Sequence, residues 1–132
     1  MTTRAKHQTL TILIALVWLA NGLFAKVLFL APRHVTIVQI VTHVDRPSAA
    51  LFTAGIGLLE ILMSLWVISK YLSKTNAIVQ IIVVAIMNIL EFILAPDILL
   101  WGRMNSLFAL LFIIAVYYNE FVLRKEVTNQ TR

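Results

Sequence analysis

The sequence predicts an all-α, polytopic membrane protein: a bundle of four transmembrane helices that forms one domain over residues 1–132. Two observations lead to this fold class. First, 61% of the 132 residues are hydrophobic and only 13% are charged, with a mean hydropathy of +0.92. A soluble domain of this length exposes too much surface to carry so few charges. Second, the apolar residues fall into four segments, each of roughly the length that crosses about 30 Å of hydrocarbon at about 1.5 Å per residue.

The first apolar segment covers about residues 9–30 and follows a short basic leader. Such a leader is also typical of signal peptides, but this segment is longer than a signal core and is interrupted by Asn21 and Lys26. We therefore expect an uncleaved first span, which ends at Pro32 because proline cannot continue a helix. Residues Val35–Val44 are too few to span a membrane, and they predict a short interfacial or re-entrant helix.

The other three spans are predicted at about residues 50–69, 77–95 and 105–122. Lysines follow the second span, a Pro-Asp pair follows the third, and tyrosines mark the end of the fourth at the membrane–water interface. The polar tail from Arg124 onwards is expected to be disordered.

The basic residues outside the spans predict the orientation. Seven Lys and Arg residues lie in the leader, the second loop and the tail, whereas the first and third loops hold Arg33, Arg46 and Arg103. The positive-inside rule therefore places both termini in the cytoplasm. Because these cations flank apolar spans, the net charge of +5 predicts contact with lipid headgroups and not with nucleic acid.

Polar residues inside the spans are the candidates for a functional site. A charged side chain at mid-span costs roughly 2.5–3.5 kcal/mol on insertion scales, so it should face the bundle interior. Helical depth brings these residues together with outer-loop residues in the outer half of the bundle. The cytoplasmic half is expected to be nearly apolar, with Ser64 and Asn119 as the main exceptions. The predicted polar set is Asn21, Lys26, Arg33, His34, Glu60, Asn88, Glu91, Asp97 and Arg103.

This polar set supports three interpretations. It could be a self-satisfied network that fixes helix register, the lining of a ligand pocket, or a proton pathway through Glu60 and Glu91. No catalytic residue is predicted, since no nucleophile accompanies the two carboxylates. No metal or cofactor is predicted either, because the chain has no cysteine, its histidines lie outside the spans, and no phosphate-binding glycine motif occurs.

Several motifs carry a resemblance to a known family. The first span contains Trp18–Leu28 (WLANGLFAKVL), followed by Pro32-Arg33-His34. The second contains Gly57–Glu60 (GLLE), and the third contains Met87–Phe92 (MNILEF), followed by Ala95–Gly102 (APDILLWG). Together these motifs resemble the DoxX-like family of small membrane proteins.

The resemblance covers about residues 10–120 and implies a four-helix bundle in a bacterial inner membrane. Some relatives in the wider DoxX group belong to respiratory or oxidative-stress complexes, including subunits of a quinol oxidase and of a thiosulfate–quinone oxidoreductase. Most members of the DoxX-like branch have no established activity. The partners implied are the lipid bilayer and either a membrane redox complex or a second copy of the chain.

Three functions remain open. The first is a non-catalytic subunit or small-molecule binder whose outer pocket accepts a quinone-like or other amphipathic ligand, oriented by Lys26, Arg33, Glu60 and Glu91. The second is a small proton-coupled transporter or channel, which a nearly apolar cytoplasmic half disfavours. The third is an assembly factor whose polar core is purely structural. The predicted pocket walls are Trp18, Phe29, Phe92 and Trp101.

Overall fold

The computed structural model describes residues 1–28, 33–94 and 104–130, and this part of the chain is helical without any β-strand. Two π-helical segments, Ala20–Val27 and Asn119–Leu123, directly continue the helices that precede them. The all-α class is therefore confirmed. The α-helices are α1 (Thr3–Leu19), α2 (Arg33–Thr42), α3 (Arg46–Ser69), α4 (Ser73–Leu94), α5 (Met104–Tyr118) and α6 (Arg124–Gln130).

Three helices of the described chain are long and apolar enough to cross a membrane: α3, α4 and the continuous helix Ser106–Gln130. Large apolar side chains cover their outer faces, such as Leu62 on α3 and Ile82 on α4, which are both more than half exposed. A surface of this kind is stable in lipid and not in water. α2 has ten residues, which is too short to span, at the position where the sequence predicts a short helix.

The helices extend beyond the apolar segments from which they are predicted. α3 begins at Arg46 because the Asp45 side chain caps it, accepting a hydrogen bond from the Ser48 backbone N–H over 3.3 Å. The expected disorder of the tail is wrong for residues 124–130, which form α6. The second π segment carries the helix past Tyr118, and Arg124 pairs with Glu120 over 3.1 Å one turn earlier.

Packing divides the described helices into two close pairs. α3 packs along α1 and the first π segment, whereas α4 packs against α5. We call the end of the molecule that carries Thr3 and Tyr118 the terminal end. An apolar core joins α1 to the other helices, and its buried members are Ile14, Ala15, Trp18, Val67, Ala77 and Val116.

Two helices approach closely at Gly22 in the first π segment. A Cβ atom at this position would lie 2.5 Å from the Gly57 carbonyl oxygen and 3.0 Å from the Glu60 Cβ. Only glycine permits this crossing, as is common where membrane helices pack on small residues. The crossing brings the first π segment against the middle of α3, and thereby builds the site described next.

Candidate functional site

A cavity of about 350 Å³ lies between the helices, on the side of the core away from the terminal end. Its apolar wall comes from α1, α4 and α5, and includes Trp18, Phe108 and Phe112. Trp18 and Phe112 meet edge to face, with ring centroids 5.9 Å apart. The polar residues that line the cavity are Asn21, Lys26, His34, Glu60, Asn88 and Glu91.

Lys26 and Glu60 form a buried ion pair in this cavity. Lys26 Nζ donates a hydrogen bond to Glu60 Oε1 over 2.7 Å, and each residue exposes only 6% of its surface. The π-helical turn supplies the lysine and α3 supplies the glutamate. Two charges withdrawn from water in this way are stable only while they remain paired, so the pair fixes the position of both side chains.

The pair leaves hydrogen-bonding capacity unused. The second carboxylate oxygen, Glu60 Oε2, is buried and accepts no hydrogen bond from the described residues. Buried carboxylate oxygens nearly always have donors, so an orphaned one indicates a missing partner. Glu91 lines the same cavity from α4, within the electrostatic reach of both Lys26 and Glu60. The cavity therefore offers acceptor oxygens beside one ammonium group.

His34 contributes an uncharged imidazole to the cavity. Burial lowers the pKa of His34 from 6.5 to about 4, and the positive charges of Lys26 and Arg33 act in the same direction. At physiological pH the ring is therefore neutral, with one nitrogen that donates and one that accepts a hydrogen bond.

This protonation state is testable by NMR. In histidine-labelled protein, the ring resonance that disappears in His34→Gln should titrate with a midpoint near 4. Because the folded state binds a proton less readily than the unfolded chain, the contribution of His34 to stability is complete above about pH 6.5 and falls as the pH approaches 4. A midpoint at or above 6.5 would contradict the burial of this ring among cations.

The remaining predicted site residues are distributed as follows. Arg33 begins α2 beside His34 but is not among the described residues that line the cavity. Of the predicted walls, Trp18 lines the cavity, whereas Phe92 lies on α4, is 38% exposed and is not among the lining residues. The predicted residues that lie outside the described part of the chain are Phe29, Asp97, Trp101 and Arg103.

The expectation of a nearly apolar half at the terminal end is wrong. Five buried polar residues form a terminal layer there: His7, Thr11, Asn76, Gln80 and Asn119. Asn119 accepts from His7 Nδ1 and donates to Thr11 Oγ1, both over 2.9 Å. Gln80 Nε2 donates to Asn76 Oδ1 over 2.6 Å. Sequence analysis names Asn119 but not the other four. His7 and Asn76 precede the apolar runs and resemble leader and loop residues, whereas Thr11 and Gln80 lie inside predicted spans.

A comparison with protein families matches residues 15–118 to the DoxX-like family, which is most of the 132-residue chain. The chain belongs to the DoxX-like family. The resemblance carried by the sequence motifs is thereby confirmed. Comparisons with curated proteins and with solved structures give no match.

The matched region of this DoxX-like protein contains the whole described lining of the large cavity, from Val17 to Phe112. His7 and Asn119 of the terminal layer lie outside it. The cavity therefore belongs to the family portion of the chain.

Proposed function

We propose that this DoxX-like protein is a non-catalytic membrane protein that holds one amphipathic small molecule, of quinone-like size and polarity, in the large cavity. The observation that carries the proposal is the orphaned Glu60 Oε2 beside a cavity of about 350 Å³. This volume falls in the usual range of small-molecule pockets, about 300–1,000 Å³. A ligand that donates a hydrogen bond to Glu60 would remove the cost of the unpaired oxygen.

The chemistry of the lining supports a ring-shaped ligand with a polar head. Trp18, Phe108 and Phe112 present aromatic surface against which a flat ring can pack. At the polar end, the Lys26 ammonium can donate to a carbonyl oxygen, while Glu60 and Glu91 can accept from a hydroxyl group. A quinone-like head provides carbonyl groups when oxidised and hydroxyl groups when reduced, so both forms find partners.

The proposal also includes the membrane topology of the chain, that is, the number of spans and the side on which the termini lie. The helix Thr3–Val27, formed by α1 and the first π segment, would be a fourth span beside the three found by length and composition. The exposed cations Arg4, Lys70, Lys74 and Arg124 gather at the terminal end. They favour a bundle with both termini in the cytoplasm, in the bacterial inner membrane that the family resemblance implies.

Binding of a soluble short-chain benzoquinone to the purified protein tests this function through quenching of tryptophan fluorescence. Wild-type protein should give saturable quenching. Glu91→Gln should weaken binding of the reduced form, the benzoquinol, about tenfold, because the hydroxyl groups of the quinol lose a charged acceptor in the lining (about 1.4 kcal/mol). The oxidised benzoquinone has no donor for Glu91, so its binding should change little. Ala109→Phe should abolish binding, since it places a ring inside the cavity.

The matched control is Lys74→Ala, which removes an exposed charge at the terminal end and should bind as the wild type does. Lipid extracts of the purified protein, analysed by mass spectrometry, should contain a copurified ring compound that Ala109→Phe lacks. Equal quenching by all three variants would refute the pocket.

A further inference from the structure

A second, smaller cavity of about 30 Å³ lies within the terminal layer. It exceeds the roughly 10–15 Å³ that one water molecule needs, and its polar walls offer that water several partners. The exposed residues Lys70 and Arg124 also line it, so this cavity opens towards the surface at the terminal end.

One hydrogen-bonded pair, within the apolar core, joins the lining of the large cavity to the lining of the small one. Trp18 lines the large cavity and donates its indole N–H to Gln80 Oε1 over 2.8 Å, and Gln80 lines the small cavity. An indole nitrogen donates a hydrogen bond but cannot accept one. A proton therefore cannot pass along this pair while the bond is made.

Each cavity holds a group that can exchange a proton with water. On the large-cavity side this group is the Glu60 carboxylate, through Oε2, which has no donor among the described residues. When Oε2 takes a proton, Oε1 still accepts from Lys26, and Glu91 in the same cavity supplies a negative charge for the lysine. On the terminal side the group is His7, whose Nδ1 donates to Asn119 Oδ1, leaving Nε2 without a partner among the described residues. The charged groups that share the small cavity with His7 are Lys70, Glu120 and Arg124.

We propose that the chain contains a gated proton pathway, in which the Trp18–Gln80 pair is the closed gate between two water-accessible cavities. A proton enters from water on one side and binds to Glu60 or His7. When Trp18 swings away from Gln80, water joins the cavities, the proton crosses, and it is released to water on the other side. Only O–H and N–H bonds to the moving proton form and break.

Proton flux into liposomes tests the gate. The full chain is reconstituted with a pH-sensitive dye inside, and a potassium gradient with valinomycin sets the membrane potential. Trp18→Ala should raise the flux at least tenfold over the wild type, since it removes the gate. Trp18→Phe keeps a ring but removes the N–H donor, and should raise the flux severalfold.

Two further variants separate a defined pathway from a general leak. Ile14→Ala shortens a buried side chain of the apolar core that is not among the described lining residues of either cavity. It leaves the Trp18–Gln80 bond in place and should conduct as the wild type does. Adding Gln80→Leu to Trp18→Ala places an apolar side chain between the two cavities. This side chain should exclude water there and return the flux to the wild-type level. The proposal is overturned if Trp18→Phe conducts no more than the wild type, if Ile14→Ala leaks like Trp18→Ala, or if adding Gln80→Leu to Trp18→Ala does not lower the flux.

Discussion

Gly22→Ala is expected to cause a large loss of stability for the addition of a single methyl group. The new Cβ would lie 2.5 Å from the Gly57 carbonyl oxygen, which belongs to backbone and cannot turn aside. The first π segment must then move away from α3. Such overpacking costs typically about 1–3 kcal/mol and more where the backbone has to shift, so we expect about 3 kcal/mol or above. Unfolding in mixed detergent micelles measures this difference.

The matched control for this substitution is Gly55→Ala. Gly55 lies on α3 two residues before Gly57, and a Cβ there meets nothing within 4 Å. Alanine favours a helix over glycine by about 1 kcal/mol, so this variant should be unchanged or slightly more stable. If Gly22→Ala and Gly55→Ala unfold alike, the close crossing does not exist.

Lys26→Met should be the most destabilising change in the large cavity. It leaves the Glu60 carboxylate buried without its only described cation, and breaking a buried ion pair in this way costs about 3–5 kcal/mol. The double variant Lys26→Met with Glu60→Leu should recover most of that loss, because apolar residues of similar volume often replace a buried pair without cost. Micelle unfolding of the four combinations measures the coupling.

The exposed ion pair between Arg124 and Glu120 is the control for the buried Lys26–Glu60 pair. Its arginine side chain is about half exposed, so Arg124→Met should cost no more than about 1 kcal/mol. If the double variant regains its stability but no longer binds the benzoquinone, the ion pair is needed for ligand binding more than for folding. A double variant as unstable as Lys26→Met alone would contradict the ion-pair account.

Hydropathy predicts the helical class and the position of the apolar segments, since lipid excludes unpaired polar groups wherever they occur. The same argument predicts that Lys26, Glu60 and Glu91 turn inward, and the structure places all three around one cavity. What hydropathy cannot supply is the partner of each group. The 2.7 Å contact between Lys26 and Glu60 depends on the glycine crossing, which no pattern of apolar residues specifies.

His7 and Asn76 of the terminal layer escape sequence analysis for a different physical reason. Hydropathy places a helix boundary at the first polar residue, whereas capping and tertiary hydrogen bonds decide where a helix begins. Thr2 caps α1, and α4 begins at Ser73, so His7 and Asn76 are helical and buried although they precede the apolar runs. The two π segments also have no recognisable signature, because a π turn reflects local packing and not residue preference.

The ion pair has a consequence for the order of events during biosynthesis. Its two members lie 34 residues apart in the chain, so the lysine leaves the ribosome well before the glutamate that neutralises it. In the four-span topology proposed above, the newborn first helix carries an unpaired ammonium group that hydrocarbon disfavours until α3 has been made. The helix must therefore wait beside the insertion machinery, and a nascent chain arrested before Glu60 should remain there and be extractable by alkali.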